Sequence, residues 1–173
     1  MRSIRYSVAM SLDGFIATPD GGYDWIPQDP AIDFGAFFET IDTILMGRRT
    51  FELVRSQGPS PLDAMRWYVF SGTLRPEDAR DVTVVSSDAA TVIGQLRAEE
   101  GKGIWLMGGG VLFRSLLEAG LVDTVEIGLV PVLLGRGIPM LPETDQSHGL
   151  ALAKIEQFPS GVILLKYDVV RHR

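Results

Sequence analysis

The sequence predicts an α/β fold of three layers, in which helices cover both faces of a mostly parallel sheet. As far as residue 119, short apolar runs that end in small residues alternate with segments of helical periodicity. That order is expected of parallel strands joined by crossover helices. The last third instead contains "LALAKIEQF" and "VILLKYDVVR" joined by "PSG", which predicts an antiparallel hairpin at one edge of the sheet.

The predicted strands are short and bounded by turn residues. They fall at about residues 3–10, over "TILMG", at 67–72, at 82–87, over "GIWLMGGG" and over "DTVEIGLVPVLLG". The segment "FIAT", which follows the turn "SLDG", is also expected to be extended.

The first helix is predicted to begin with Asp29 as its N-cap and Pro30 at the first helical position, and to end near Asp42. Its core-facing stripe would consist of Phe34, Phe37, Phe38 and Ile41.

Three further helices follow the same reasoning. One opens directly after Gly47, one begins after Asp88 and stops at Gly101, and one runs from Val111 to Ala119.

Composition limits the classes of function. The 173 residues, 46% of them hydrophobic, fit one domain over residues 1–173. The absence of cysteine and the separation of His148 from His172 argue against a metal site. The net charge of -6 argues against a nucleic-acid partner. No signal peptide or membrane-spanning run is apparent, so a cytoplasmic protein is expected.

The stretch "WLMGGGVLF" places three glycines between a predicted strand and a predicted helix. Each glycine costs roughly 0.5 to 1 kcal/mol relative to alanine inside a regular element, so a close approach of the backbone is implied. Glycines at a helix N-terminus let N–H groups reach an anion such as a pyrophosphate, although a tight turn without a ligand is the alternative. Phe113, where the dinucleotide fingerprint needs glycine or alanine, disfavours a standard Rossmann domain.

A second strand-to-helix junction, "MGRRTFE", carries Arg48, Arg49 and Thr50. Guanidinium groups bind phosphate in pairs of hydrogen bonds, whereas the helix dipole disfavours a cation at this end. A solvated helix start is the alternative. Together the two junctions suggest a phosphate-rich cofactor, one that could carry a 2′-phosphate.

Asp33 is the candidate acid. Phe34 and Phe37 lie at its i+1 and i+4 positions, which places its carboxylate beside the predicted apolar stripe. A carboxyl that is partly desolvated can deliver or relay a proton near neutral pH. The alternative is an acidic residue that the dipole favours in a first helical turn.

Five segments recur in this order in a known superfamily: "VAMSLDGFIA", "ILMGRRTFE", "VFSG", "WLMGGGVLF" and "LVPVLLGRGIPMLP". On these segments the chain resembles the dihydrofolate reductase-like superfamily over essentially its whole length. "MSLDGFIA" and "LLGRGIP" favour the branch that contains the C-terminal reductase domain of bifunctional riboflavin-biosynthesis proteins. The resemblance implies an αβα fold and an NADPH-dependent reductase that acts on a pterin- or pyrimidine-type heterocycle.

The resemblance also implies roles for individual residues. Those on the cofactor side are Ala9 and Ile16 near the nicotinamide, Gly47, Arg48, Arg49 and Thr50 at the pyrophosphate and 2′-phosphate, Ser71 and Gly72 at the adenosine, Gly108, Gly109, Gly110, Val111 and Leu112 around the pyrophosphate, and Phe113 beside the nicotinamide. In that superfamily the first glycine pair of the triplet adopts a cis peptide.

On the substrate side the resemblance places Trp25, Asp33 and Phe37, with Asp33 matching the acid that reads the pterin ring. The threonine that supports this acid in dihydrofolate reductases corresponds to Gly128 here. This departure makes folate less favoured. The riboflavin branch acts on a ribityl-phosphate pyrimidine, as in 5-amino-6-(5-phosphoribosylamino)uracil reductase, and the resemblance leaves the physiological substrate open. The chain contains no segment that resembles a zinc deaminase.

Three readings therefore stand at the level of sequence. The first is an NADPH-dependent hydride transferase with a small heterocyclic substrate, with dihydrofolate reductase activity as an alternative. The second is an NADP-binding module without catalysis, and the third is a purely structural dimer subunit. The apolar terminal hairpin also suggests a homodimer.

Overall fold

The structure is a computed structural model that describes residues 1–86 and 88–170. Its strands are β1 Ile4–Ser11, β2 Phe15–Ala17, β3 Ile41–Gly47, β4 Arg66–Phe70, β5 Thr83–Val85, β6 Gly103–Gly108, β7 Thr124–Val130, β8 Ile138–Pro139, β9 Leu150–Gln157 and β10 Ile163–Val169. Its helices are α1 Phe34–Glu39, α2 Arg48–Ser56, α3 Ala89–Ala98 and α4 Gly110–Glu118, with 3-10 turns at Pro61–Ala64 and Pro76–Asp78. Ser87 and residues 171–173, where two predicted strands end, lie outside the described residues.

Eight strands form one sheet in the order β5-β4-β3-β6-β1-β7-β10-β9. The pairs from β5 to β7 are parallel, and β10 runs antiparallel to both β7 and β9. The predicted mostly parallel sheet with a terminal hairpin is therefore confirmed. Because β3 and β6 are neighbours, the turns that follow them lie side by side at the carboxyl edge of the sheet.

Hydrophobic residues pack on both faces of this sheet. On one face, strand residues such as Tyr6 and Leu106 pack with Ile93 of α3 and Leu116 of α4. On the other face, Ile44, Met46 and Val69 pack with Phe51 of α2. The second face is called the α2 face below. Its period-two pattern assigns Arg5, Ser7 and Ala9 of β1 to the same side of the sheet as Trp105 of β6.

The prediction for the first helix is wrong at both ends. Asp29 caps no helix, because its carboxylate accepts hydrogen bonds from the backbone of Ala31 and of Ser160, both at 2.9 Å. The second contact attaches this segment to the turn between β9 and β10. The Ser160 hydroxyl and the two backbone N–H groups lower the pKa of Asp29. Helix α1 starts four residues later than predicted, after Asp33.

The end of α1 also differs from the prediction. Ile41 belongs to β3, where it pairs with Gly103. No residue of the six-residue helix is buried, and Phe34 is exposed, so the expected core-facing stripe does not form. Phe37 and Phe38 instead pack against Trp105.

A small ribbon at the carboxyl edge joins two of the sequence motifs. Strand β2 from "DGFIA" pairs antiparallel with β8 from "GRGIP". Asp13 accepts hydrogen bonds from the backbone of Leu134 at 3.1 Å and Gly135 at 2.7 Å. The Ser11 hydroxyl, followed by these backbone contacts, lowers the pKa of Asp13. The two motifs therefore occur together because one carboxylate links their loops.

Candidate active site

The centre of the candidate site is a pair of helix N-termini. Helices α2 and α4 have nine residues each, and their N-caps are Gly47 and Gly109, neither of which supplies a side-chain cap. A Cβ placed on Gly47 would lie 3.8 Å from the backbone nitrogen of Gly109, so the two helix starts are adjacent. The first N–H groups of a helix have no partner within the helix, and the dipole makes this end positive. Two such ends together form a site suited to a polyanion.

The two other helices have capped N-termini. The carboxylate of Asp33 accepts the backbone N–H of Ala36 at the start of α1, and Asp88 accepts that of Ala90 at the start of α3. The uncapped starts are thus confined to the edge where the sequence predicts an anion. This contrast supports a ligand-binding role for the glycines.

Each glycine of the triplet meets a different constraint. Gly108 has a φ of 149°, in the region that favours glycine, and the peptide between Gly108 and Gly109 is cis, as the resemblance implied. Gly109 has ordinary backbone angles, and its nearest neighbour beyond the adjoining residues would be Thr50 Oγ1, 3.9 Å from an added Cβ. On Gly110 a Cβ would meet the carbonyl oxygens of Pro139 and Met140 at 2.8 and 2.9 Å. Gly110 is therefore needed for internal packing, whereas Gly109 borders open space.

The predicted arginines lie at the start of α2. Arg48 donates to Glu52 Oε1 at 2.6 Å and to Thr73 Oγ1 at 2.9 Å. Arg49 is exposed and forms no hydrogen bond or ion pair with the described residues. The structure thus brings one held and one unattached guanidinium to the same helix start.

The loop after β4 completes this side of the site. The Ser71 hydroxyl accepts hydrogen bonds from the backbone of Thr73 at 3.2 Å and Leu74 at 3.0 Å, and so shapes the turn that contains Gly72. Thr73 in turn holds Arg48. The sequence analysis missed Thr73, although its position directly after "SG" placed it at the same strand end.

The remaining residues expected on the cofactor side differ in their exposure. Ala9 of β1 lies opposite Gly128 of β7 on the α2 face, and both Ala9 and Ile16 are partly exposed. Val111 is exposed on α4 and Leu112 is half-buried against the core. Phe113 is 2% exposed and stacks on Tyr6 with ring centroids 3.8 Å apart. The ring of Phe113 thus packs in the core with residues of β1, α3 and α4, and its nicotinamide contact stays a prediction.

The residues expected on the substrate side lie in and before α1. Trp25 is half-buried and donates to the Gly22 carbonyl at 3.3 Å. Phe37 packs edge-on against Trp105 and lies over the Arg5 guanidinium, 5.1 Å away in both cases. Asp33 is exposed, so the desolvation that motivated its proton-relay role is absent. Its carboxylate caps α1 from the N-cap position, directly before the helix, and the first turn itself contains no acid.

A charged group on the α2 face was missed by the sequence analysis. Glu126 of β7 lies between Arg5 of β1, with Nε 3.6 Å away, and Lys166 of β10, with Nζ 3.0 Å away. A charged residue at a buried strand position, within "DTVEIG", was the available signal.

The three layers, with the starts of α2 and α4 adjacent at the ends of β3 and β6, form a dihydrofolate reductase-like fold. The solved dihydrofolate reductase of Enterococcus faecalis, in complex with NADP(H) and an inhibitor, superposes with a TM-score of 0.65 at 20% identity over 96% of each chain. More specifically, residues 2–164 match the family model of the RibD C-terminal domain, so the chain belongs to that family.

Two relatives cover nearly the whole chain. The uncharacterised protein YyaP of Bacillus subtilis is 33% identical over 178 residues, which span 96% of this chain and 94% of YyaP. The crystal structure of a candidate riboflavin biosynthesis protein from Shewanella sp. PV-4 superposes with a TM-score of 0.84 at 30% identity, over 99% of this chain and all of that one. The helices in the described part of the chain are all too short or too polar to cross a bilayer. A cytoplasmic location stays a prediction.

Proposed function

We propose that this protein is an NADPH-dependent reductase that transfers a hydride to a pyrimidine- or pterin-type heterocycle. The observation that carries the proposal is the adjacent pair of uncapped helix N-termini at Gly47 and Gly109. Two helix starts offer N–H donors and positive partial charge to the two phosphates of one pyrophosphate. The E. faecalis relative of the same fold is described in complex with NADP(H), which supports this choice of dinucleotide.

The residues around the starts of α2 and α4 fit that cofactor. The bare backbone at Gly109 allows a phosphate to approach, and Arg49 offers a guanidinium that other described residues do not engage. A guanidinium suits a 2′-phosphate because it donates paired hydrogen bonds and stays charged. NADPH, when bound, supplies the hydride. The chain binds and orients it, with Thr73 holding Arg48 against the helix start.

The substrate side has a floor of small residues. Ala9 and Gly128 are paired across β1 and β7, and a Cβ on Gly128 would have its nearest contact at 3.9 Å. A flat ring can therefore approach this floor. The missing threonine at Gly128 favours a pyrimidine of riboflavin biosynthesis over folate, in line with the family. Asp33 as the proton source rests on the resemblance alone, because its carboxylate is exposed.

A non-catalytic NADP-binding module is the second candidate. It is favoured by the exposed position of Asp33, which leaves the substrate side without the buried acid that the resemblance implied. NADPH binding without oxidation by any pyrimidine or pterin would select it.

The experiment is a calorimetric titration with NADPH and with NADH. We expect NADPH to bind at least tenfold more tightly, and Arg49→Ala to remove most of that difference, since a charge-assisted hydrogen bond contributes about 1.5 to 3 kcal/mol. Arg55→Ala is the matched control, because Arg55 lies in the last turn of the same helix and pairs with Asp81. Equal affinity for both dinucleotides, or for neither, would contradict the assignment.

A further inference from the structure

Glu126 is a buried carboxylate whose contacts fall on one oxygen. The residue is 6% exposed. Arg5 Nε, at 3.6 Å, and Lys166 Nζ, at 3.0 Å, both approach Oε1. An ionised carboxylate has two oxygens and about four lone-pair positions. Within residues 1–86 and 88–170, both ion pairs of Glu126 are made at Oε1, and Oε2 is not one of the buried side-chain atoms that lack a partner, so solvent reaches this oxygen.

This arrangement leaves one oxygen of a largely buried carboxylate available. A buried charge is costly unless it is paired, and here two cations pair with it at Oε1. The second oxygen, which solvent reaches, is therefore able to accept a hydrogen bond from a donor that is not part of this chain. The two cations contact the first oxygen and hold the carboxylate in one orientation.

Glu126 lies beside the place where the substrate ring is proposed to bind. Glu126 and Gly128 lie two residues apart on β7, so their side-chain positions share the α2 face, about 7 Å apart. In the pairing with β1, Ser7 lies opposite Glu126 and Ala9 lies opposite Gly128. The carboxylate therefore borders the floor on which the substrate ring is proposed to lie.

Helix α1 contacts Arg5, one of the two cations that pair with Glu126. Phe37, which the resemblance assigns to the substrate side, lies over the Arg5 guanidinium at 5.1 Å. The same ring packs edge-on against Trp105, whose indole nitrogen donates to the Ser7 carbonyl at 3.0 Å. Arg5 is thereby fixed between α1 and Glu126.

We propose that Glu126, rather than Asp33, is the acidic residue that recognises the substrate, with Oε2 accepting N–H donors of an amino-substituted pyrimidine or pterin ring. Arg5 and Lys166 are positioning residues that orient the carboxylate. This inference rests on the proposed function, because it takes the floor at Ala9 and Gly128 as the place of the ring. No proton is transferred in this recognition step.

The test uses two ring probes that differ in N–H donors. Calorimetric titrations with 5,6-diaminouracil and with 5,6-diamino-1,3-dimethyluracil, which lacks the ring N–H groups, are run with and without NADPH. The wild type should bind the first probe at least tenfold more tightly. In Glu126→Gln, affinity for the first probe should fall about tenfold to a hundredfold, as expected for a hydrogen bond to a charged group, while affinity for the second stays within twofold.

Controls separate recognition from stability. Glu156→Gln alters a glutamate of the edge strand β9 that pairs with Lys154, and it should leave both affinities unchanged. Glu126→Asp keeps the charge but shortens the reach, so it should show the same selective loss if Glu126→Gln does not fold. Equal loss for both probes, or none, overturns the role of Glu126, and so does a wild type that does not distinguish the probes. Absence of NADPH binding overturns the proposed function instead, while a Glu126-dependent preference still supports this inference.

Discussion

The glycine triplet offers a sharp test because two neighbouring glycines have opposite surroundings. Gly109→Ala adds a Cβ whose nearest neighbour is Thr50 Oγ1 at 3.9 Å, so the free protein accommodates it. Alanine is poorer than glycine at an N-cap, and we expect a loss of no more than about 1 kcal/mol in the free energy of unfolding. Gly110→Ala places its Cβ 2.8 and 2.9 Å from two backbone carbonyl oxygens. Overpacking of this kind costs about 1 to 3 kcal/mol.

NADPH binding, in contrast to stability, should be affected more by Gly109→Ala than by Gly110→Ala. The Cβ of Gly109→Ala would stand between the two helix starts and the pyrophosphate. Loss of two charge-assisted hydrogen bonds at about 1.5 kcal/mol each amounts to about 3 kcal/mol, or roughly a hundredfold in Kd. Each kcal/mol of stability corresponds to about 2 to 4 °C in Tm for a chain of this size. Calorimetry with NADPH and thermal melts of both variants give the two quantities.

Unchanged NADPH affinity in Gly109→Ala would refute the close approach of the cofactor to this backbone. A Gly109→Ala protein that melts lower than Gly110→Ala would refute the contrast in packing.

Three further outcomes are expected. Asp33→Asn retains the cap of α1, since asparagine caps as well as aspartate, so NADPH affinity should stay constant. If Asp33 supplies the proton, turnover, followed by NADPH absorbance, should fall more than tenfold. Equal turnover would assign Asp33 to the cap alone. Asp13→Asn should lower Tm at neutral pH, and the difference in Tm from the wild type should vanish as pH falls. The pKa of Asp13 is lowered in the folded protein, so its contribution to stability is present above the ordinary aspartate pKa of about 3.9 and is lost as the pH falls below it. A difference that persists in acid would show another cause. We also propose a homodimer through β9, where Leu152 and Ile155 are 58% and 62% exposed on one face of the edge strand. Light scattering should find a dimer, and a Leu152→Glu and Ile155→Glu double variant should be a monomer. A monomeric wild type at high concentration would contradict this proposal.

The parts of the site that depend on local signals could be predicted from the sequence. The strand, glycine and helix order at Gly47 and at "GGG" predicted two helix starts, and the parallel topology brought them to one edge. The parts that depend on distant contacts could not. The cap assigned to Asp29 failed because Ser160, 131 residues away, takes up the carboxylate. Glu126 is joined to Arg5 and Lys166 only when three strands pair.

Phe113 shows a further limit of carrying roles over by position. The sequence places it one turn into α4, and that prediction is correct, since its N–H bonds to the Gly109 carbonyl at 3.0 Å. The direction of its side chain depends instead on the space beside Tyr6, which an aromatic ring fills by stacking. Burial raises the pKa of that tyrosine. The position of Phe113 in the sequence therefore predicts its place in α4 but not the packing of its side chain on Tyr6.

The distribution of helix caps connects the sequence to the site. A side-chain cap is worth about 0.5 to 2 kcal/mol relative to alanine and a few tenths of a kcal/mol relative to glycine, and this chain places aspartate at the start of α1 and α3. It places glycine at the start of α2 and α4, the two helices that follow the neighbouring strands β3 and β6. A sequence under selection for stability alone could cap all four, since a Cβ on Gly47 or Gly109 would have its nearest contact at 3.8 or 3.9 Å. The uncapped pair is explained if a ligand's phosphates supply the missing acceptors, because then a carboxylate at either position would compete with them.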